Sequence, residues 1–462
     1  MRWTIKPKPS EENVKLLADQ LNVDNLIATL LIQRGVETFE KARTFFRPSL
    51  DDLHNPYLMK DMDKAVARIE KAIANGENIL VFGDYDVDGT TAVSLVSSYL
   101  KSYYPNVATY IPDRYDEGYG ISFKGIDFAD DNGFSLIIAL DCGIKSIDHV
   151  AYANAKNIDF IICDHHRPGR DLPNAIAVLD PKRDDCSYPY DELCGCGIGF
   201  KLIQALGENR NQTIEDLILY LDLVATAIGA DIVPITGENR ILAKFGLDVI
   251  NTNPRPGIKA LIQNVKKKVL TITDVVFIVA PRINAAGRIK HGNEAVSLLT
   301  EYDIDQAEQF GGHMYAAGMT IKEENYLNFK NAFEKEVQAT IPPELLLPEI
   351  SVDSEIDFAD ISPKLIRILS QFEPFGPQNM SPVFLTKNVK DTGYAKPLGK
   401  DNEHLKLFVK QNGSEGFGAI GFNLGSKLEL TKNQKPVEMV YHLDENEFNG
   451  TVTVQLRIKD FR

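Results

Sequence analysis

The sequence has few cysteines and no long apolar run. Its five cysteines, an odd number, all lie in the N-terminal half of the 462 residues, which excludes the paired framework of a disulfide-stabilised secreted domain. No apolar stretch approaches the roughly 20 residues that span a bilayer, and Met1–Lys6 is not a signal-like apolar segment. We therefore expect reduced thiols, a cytoplasmic location and no membrane partner.

A net charge of −15 argues against a nonspecific nucleic-acid coat protein. The argument is weak, because carboxylates that cluster in a metal site are neutralised when cations bind. Hydrophobic residues make up 44% of the chain and charged residues 25%, as in folded globular proteins. The length predicts about two to four domains.

The pattern of apolar residues changes along the chain. Leucines at near-helical spacing predict an N-terminal helical segment that ends at Arg47-Pro48. Alternating strands and helices then predict a doubly wound parallel-sheet α/β domain, and the turn-forming residues at 251–257 mark the start of a second, smaller α/β domain. Short alternating runs near the C-terminus predict an OB-type β-barrel, a fold that commonly binds oligonucleotides. The predicted domains are residues 1–61, 62–255, 256–341 and 342–462.

Three apolar runs each end in acidic or histidine residues. These residues are Asp84, Asp86 and Asp88 after the run at 79–82, Asp141 after the run at 136–140, and Asp164, His165 and His166 after the run at 160–163. Ligands of parallel α/β sheets bind outside the carboxyl ends of the strands, so these side chains are expected to meet. Carboxylates with a few imidazoles suit Mg²⁺ or Mn²⁺, and two such ions suit phosphoester hydrolysis. The sequence therefore predicts a two-ion metal site.

Within this site, Asp86 and Asp88 are expected to hold different ions. Asp141 follows the middle run and is our expected bridging carboxylate, because it can reach both ions. The alternatives are an acidic turn with a helix N-cap, or a calcium loop, although the further acidic positions of an EF-hand are missing. A zinc site is a separate alternative, although its cysteines lack a paired CxxC spacing: Cys186, Cys194 and Cys196.

The two adjacent histidines are expected to have different roles. A neutral imidazole at His165 suits a metal ligand, whereas His166 can donate a proton to a phosphate oxygen or to the leaving group. Asp164 would either orient an imidazole or contact a metal ion directly. Surface histidines near a Pro-Gly turn are the alternative.

The strings GDYDVDG at 83–89 and DHH at 164–166 resemble the DHH phosphoesterase family and, within it, the RecJ family of single-strand-specific 5′→3′ exodeoxyribonucleases. The similarity runs from about residue 3 to the C-terminus. Other matching strings are DRYDEGYG at 113–120, LCGCG at 193–197, ADIVP at 230–234, PRINAAGR at 281–288, GGH at 311–313 and EPFGPQN at 373–379.

The resemblance implies an exonuclease that uses two Mn²⁺ or Mg²⁺ ions to release 5′-mononucleotides from single-stranded DNA in recombination and repair. It implies a partner helicase and a single-strand-binding protein. The metal ligands it implies are Asp86, Asp88, Asp141, His165 and Asp231, with Asp84 nearby. Spacing alone does not select Asp231, and Asp222 is a rival for its role. The catalytic residues it implies are Asp164 and His166, and the DNA contacts are Arg114, Arg282, Asn284, Arg288, Gly311, Gly312 and His313.

One departure from the RecJ pattern concerns the second domain. RecJ-like proteins have a long, tryptophan-containing stretch between the PRINAAGR and GGH strings, where this chain has only Ile289–Phe310, and its sole tryptophan is Trp3. We therefore expect a shortened second (DHHA1-like) domain. Two alternative functions remain: a DHH phosphodiesterase for short oligonucleotides or cyclic dinucleotides, and a catalytically impaired single-strand-binding scaffold. The C-terminal barrel argues against the first, and the intact acidic positions argue against the second.

Overall fold

The structure is a computed structural model. It describes residues 1–289, 292–303, 348–411, 413–448 and 451–462, with separate residues between 327 and 339. Over these residues, every helix is too short or too polar to cross a bilayer.

The described helices and strands follow one another as β1 (Arg2–Ile5), α1 (Glu11–Leu21), α2 (Asn25–Ile32), α3 (Phe39–Phe46), α4 (Met62–Asn75), β2 (Asn78–Gly83), α5 (Val87–Lys101), β3 (Val107–Tyr110), α6 (Phe123–Asp131), β4 (Phe134–Leu140), α7 (Ile147–Ala155), β5 (Asp159–Cys163), β6 (Ala177–Leu179), α8 (Gly195–Glu208), α9 (Leu221–Ala230), α10 (Gly237–Thr252), α11 (Pro256–Ile262), α12 (Ile272–Asp274), α13 (Ala280–Ile289), α14 (Gly292–Thr300), β7 (Glu349–Val352), β8 (Ser354–Glu355), α15 (Pro363–Ser370), β9 (Phe384–Asp391), β10 (Lys396–Leu398), β11 (His404–Lys410), β12 (Phe417–Gly421), β13 (Val437–Phe448) and β14 (Thr451–Phe461). A π-helical turn, Val275–Val279, joins α12 to α13.

One compact unit comprises residues 48–318 and 374–379. Its five-stranded parallel sheet has the order β3-β2-β4-β5-β6. Alternate residues of β2 enter different cores: Ile79 and Val81 pack with α4, α5 and α8, whereas Leu80 and Phe82 pack with α6 and α7. Both faces of the sheet are thus covered, which explains the unbroken apolar runs and confirms the doubly wound α/β fold.

The register of this sheet brings the carboxyl ends of its strands together. Gly83 pairs with Leu140, Leu140 with Cys163, and Cys163 with Leu179. The residues that follow these strands therefore emerge at one edge.

Helices α11 to α14 belong to the same unit, and Ile258 and Leu298 are buried in its larger core. Most of the rest of the predicted second domain lies outside the described residues, so its α/β character and the boundaries of the four predicted domains stay predictions.

The other compact unit comprises residues 1–47, 319–373 and 380–462. Its sheet has the order β10-β11-β12-β14-β13-β9-β8, and an additional pairing between β11 and β9 closes five of the strands into a barrel. The short alternating runs predicted near the C-terminus contribute strands to this sheet, which confirms the OB-type fold. In the same unit β1 pairs with β7, and the indole N–H of Trp3 donates to Asp460 at 2.9 Å.

Candidate metal centre

The turn from β2 into α5 places three carboxylates at the carboxyl edge of the sheet. Asp86 is the N-cap of α5, where its side chain accepts the amide N–H of Gly89 at 2.9 Å. Asp84 is fully buried and accepts the Gly120 amide at 3.3 Å. A Cβ atom on Gly89 would lie 2.4 Å from the carbonyl oxygen of Asp84, so the turn requires glycine at this position.

The third carboxylate, Asp88, is held by the N-terminus of α8. It accepts the amide N–H groups of Gly195 and Cys196 at 2.7 and 2.8 Å. These amides are not bonded within the helix, so they are free to donate to an anion. The orientation of Asp88 is therefore set by a helix that begins 107 residues further along the chain.

Three carboxylates surround one nitrogen of His165. Its Nε2 lies 3.1 Å from Asp141, 3.6 Å from Asp231 and 3.8 Å from Asp88. Two groups of side chains could each hold a metal ion, because the ligand atoms within each group lie within 4.8 Å of one another. The first group is Asp141, His165 and His166. The second is Asp88, His165 and Asp231. The structure thus brings together residues that follow β4 and β5, a residue of α5 and the residue after α9, whereas Asp86 joins neither group among the described residues. His165 belongs to both groups, whereas Asp141 belongs to only one. The bridging role expected for Asp141 therefore stays a prediction.

The electrostatics of this cluster favour bound cations. The pKa of Asp84 is raised to about 7 and that of Asp231 to about 6. Burial is the largest cause for both groups, and the negative charge of Asp86 is the second. Burial and neighbouring carboxylates also raise the pKa values of Asp88 and Asp141. Burial lowers the pKa of His165 to about 4, so its imidazole is neutral and has a lone pair to offer. Oxygen donors with one neutral imidazole fit Mn²⁺ or Mg²⁺.

Among the described residues, Asp164 belongs to neither group of metal-binding side chains, and it orients His166. Its carboxylate accepts the Nδ1 proton of His166 at 2.7 Å and the amides of His165 and Ile144 at 2.8 and 2.9 Å. Burial opposes ionisation of Asp164, but the hydrogen bond and charge of His166 bring its pKa below the ordinary value. The same hydrogen bond raises the pKa of His166. Of the two roles expected for Asp164, the geometry therefore favours orienting an imidazole.

Two alternatives for metal ligands find no support. Asp222 is fully buried, and both of its oxygens bond to Arg255, whose Nε lies 2.9 and 3.0 Å away. Asp222 is therefore a structural partner of Arg255. Among the described residues, the cysteines proposed for zinc join neither group of metal-binding side chains.

The predicted DNA contacts are described only in part. Arg114 stacks on the ring of Tyr85 at 4.2 Å, and its charge opposes the rise in the pKa of Asp84. Arg282 donates to the carbonyl of Leu261 in α11, and Asn284 is half-buried. The side chain of Arg288 and the residues Gly311, Gly312 and His313 lie outside the described residues.

Sequence reasoning missed the residues that support the site. Gly195 and Cys196 hold Asp88 through their backbone amides, which every residue type other than proline has, so their side chains do not reveal this role. The one available signal is the glycine-rich start of α8, which is typical of a place where another segment approaches the backbone closely. A Cβ atom on Gly195 would lie 2.6 Å from the Cβ of Asp141, which explains why glycine stands there.

The chain is similar in sequence to known protein families and to named relatives. Residues 78–228 match the family described as "DHH family, N-terminal domain", and residues 352–460 match "RecJ OB domain". The "Single-stranded-DNA-specific exonuclease RecJ" of Bacillus subtilis is 30% identical over 564 aligned positions, which cover 100% of this chain and 70% of that protein. The protein of the same name from Salmonella typhimurium is 27% identical, with 99% and 98% of the two chains covered.

The fold is also similar to that of a solved structure. The crystal structure of RecJ from Thermus thermophilus in complex with Mn²⁺ has a TM-score of 0.81 and 22% identity, and the match covers 100% of this chain and 79% of that one. The metal cluster, the family matches and this relationship lead to one conclusion: the chain belongs to the RecJ family.

Proposed function

We propose that this chain is a metal-dependent exodeoxyribonuclease that degrades single-stranded DNA from its 5′ end and releases 5′-mononucleotides, in DNA recombination and repair. The observation that carries the proposal is the convergence of Asp88, Asp141 and Asp231 on Nε2 of His165. Relatives named for single-stranded-DNA-specific exonuclease activity support the choice of substrate.

We propose Asp86, Asp88, Asp141, His165 and Asp231 as the ligands of two Mn²⁺ or Mg²⁺ ions, with Asp84 beside them. When bound, such ions polarise the phosphate and lower the pKa of a water molecule. The carboxylate of Asp88 is held by two hydrogen bonds and the imidazole of His165 is buried. These two side chains can therefore bind a metal ion without a large conformational change.

His166 is the proton donor of this proposal. Its side chain is 43% exposed, so a substrate can reach it, and the hydrogen bond to Asp164 raises the pKa of its imidazole. A protonated imidazole can donate to a phosphate oxygen or to the departing 3′-oxygen. On the Asp84 side, the Arg114 guanidinium is a planar, permanently charged group suited to a DNA phosphate.

The proposed partners follow from the substrate. An enzyme confined to single strands requires a helicase or a single-strand-binding protein to provide them, and we propose both, together with a cytoplasmic location. We propose no membrane partner, and none of the described helices is long and apolar enough to cross a bilayer.

The chain lacks part of what its relatives have. The alignment with the B. subtilis protein spans 564 positions, more than the 462 residues of this chain, so segments of the relative have no counterpart here. Because of these missing segments, the test below also distinguishes two other functions. These are hydrolysis of short oligonucleotides or cyclic dinucleotides, and single-strand binding without cleavage.

The test is degradation of a single strand labelled at either end, with Mn²⁺ present, compared with duplex DNA, dinucleotides and cyclic dinucleotides. The proposal predicts early loss of the 5′ label as mononucleotide, no loss from duplex, and loss of activity in Asp141→Ala. Cleavage of dinucleotides alone would instead establish the small-substrate phosphodiesterase, and tight binding without cleavage would establish the scaffold.

A further inference from the structure

The loop after β6 carries a lysine to the same edge of the sheet as the metal cluster. Asp180 follows β6 directly and is fully buried. One of its oxygens accepts the amide N–H of Lys182 at 2.7 Å, and its carbonyl accepts the amide of Arg183 at 3.3 Å. The backbone of Lys182 is therefore fixed against the end of the strand.

Arg183 anchors this loop to the rest of the unit. Its guanidinium donates to Asp61 at 2.7 Å and to the carbonyl of Val178 at 2.6 Å. It also forms two hydrogen bonds with Asp185, at 2.9 and 2.8 Å. Arg183 is 8% exposed, and its bonds to Asp61 and Val178 are buried, so they fix the position of the neighbouring Lys182.

The side chain of Lys182 extends toward the N-terminus of α8, which holds Asp88, because its ammonium lies near Glu192, three residues before Gly195. It is 22% exposed, and its ammonium lies 3.8 Å from the carboxylate of Glu192, which is too long for a hydrogen bond. Its charge opposes the rise in the pKa of Asp231 and adds to the fall in the pKa of His165, which burial mainly causes. Arg114, which stacks on Tyr85, is a second cation whose charge acts on a carboxylate of the cluster, Asp84.

We propose that Lys182 is a substrate-binding residue whose ammonium contacts a non-bridging oxygen of a DNA phosphate on the Asp231 side of the metal cluster. The inference rests on the proposed nuclease function and adds a specific contact to it. A compact ammonium on a rigid loop suits this role, because it supplies a point charge without demanding one orientation of the phosphate. The weak pairing with Glu192 leaves that charge available.

The test uses the full chain with Lys182→Met, Lys182→Gln and Lys182→Arg. Lys101→Met is the matched control, because Lys101 is an exposed lysine at the other end of α5, away from the carboxyl edge. We expect Lys182→Met and Lys182→Gln to raise the KM for 5′-phosphorylated single strands about tenfold with a smaller change in kcat. Lys182→Arg should retain most of the affinity, and Lys101→Met should match the wild type.

A second readout separates a phosphate contact from a structural role. Binding of labelled single strands is measured against salt concentration in the Asp141→Ala background, with and without Lys182→Met. Loss of one phosphate contact reduces the slope of log K against log salt by about 0.7. A strand with neutral methylphosphonate linkages near its 5′ end should bind equally to the chains with and without Lys182→Met, whereas the natural strand should not.

The outcomes distinguish this inference from the proposed function. An active wild type in which Lys182→Met alters neither KM nor the salt slope would overturn the inference and leave the exonuclease intact. Reduced Mn²⁺ affinity in Lys182→Gln, with an unchanged salt slope, would also overturn it, since the lysine would then support the metal site. A wild type that binds but does not cleave would refute the exonuclease itself.

Discussion

The pair Asp164 and His166 shows how single residues set the chemistry of this site. Their hydrogen bond of 2.7 Å holds a carboxylate that is almost fully buried against an imidazole that is 43% exposed. Each partner stabilises the charged form of the other, so the pKa of His166 rises and that of Asp164 falls. The proton of His166 is thus retained to a higher pH than in a free histidine.

Asp164→Asn removes that stabilisation without changing the size of the side chain. The pKa of His166 should fall, so the protonated fraction is lost at a lower pH than in the wild type. We expect kcat/KM at pH 8 to drop about 100-fold, with a smaller loss at pH 6, because the proton donor is depleted first at high pH. A pH profile at saturating Mn²⁺ measures the shift of the alkaline limb.

Asp127→Asn is the control for this substitution, because Asp127 bonds to Tyr152 in the same unit and lies outside the metal cluster. An alkaline limb that stays in place in Asp164→Asn would contradict the assignment of His166 as the proton donor.

At the scale of elements, the helix α8 is the support of the metal centre. Its first amides hold Asp88, and a Cβ atom on Gly195 would lie 2.8 Å from a carboxylate oxygen of Asp141. Gly195→Ala should therefore displace both carboxylates and lower activity and Mn²⁺ affinity at least about 100-fold. Steady-state kinetics and Mn²⁺ titration by calorimetry measure the two effects.

Gly197→Ala is the matched control on the same helix. A Cβ atom there would meet Leu193 at 3.4 Å, an ordinary contact, and alanine favours a helix by about 1 kcal/mol over glycine. Gly197→Ala should therefore retain activity and unfold at an equal or higher temperature. Equal activity of both variants would show that the α8 terminus does not position the carboxylates.

The elements also show what the sequence could predict. Apolar runs are a local signal, so the strands that end before Asp84, Asp141 and Asp164 and their shared edge were predicted from the residues alone. Asp231 was not, because it ends a helix rather than a strand, and only the family resemblance selected it. The support of Asp88 by amides of α8 depends on tertiary contact between distant segments, which no local pattern records.

At the scale of the whole molecule, the acidic cluster links stability to pH and to metal. The pKa values of Asp84 and Asp231, about 7 and about 6, lie above the ordinary value of 3.8. A carboxyl group with a raised folded-state pKa stabilises the fold while it is protonated, and this stabilisation is lost as the pH rises from about 4 to about 7. For Asp84 the loss is at most about 4 kcal/mol.

The metal-free protein should therefore unfold at a lower temperature at pH 8 than at pH 5, and Mn²⁺ should restore most of the difference by pairing with the ionised carboxylates. Thermal unfolding in EDTA and in Mn²⁺ across this range measures both effects. Asp84→Asn removes one buried charge, so it should raise the unfolding temperature in EDTA at pH 8 and change it little at pH 5. The same dependence on pH in Asp84→Asn as in the wild type would contradict this account.

The central claim is that the carboxyl edge of the parallel sheet holds two divalent cations between Asp86, Asp88, Asp141, His165 and Asp231. Anomalous diffraction from crystals grown with Mn²⁺ tests it most directly. We predict two anomalous peaks within a few ångströms of each other, one of them at coordination distance from Nε2 of His165, and both lost in Asp141→Ala. Crystals that bind Mn²⁺ elsewhere, with no peak beside His165, would contradict the claim.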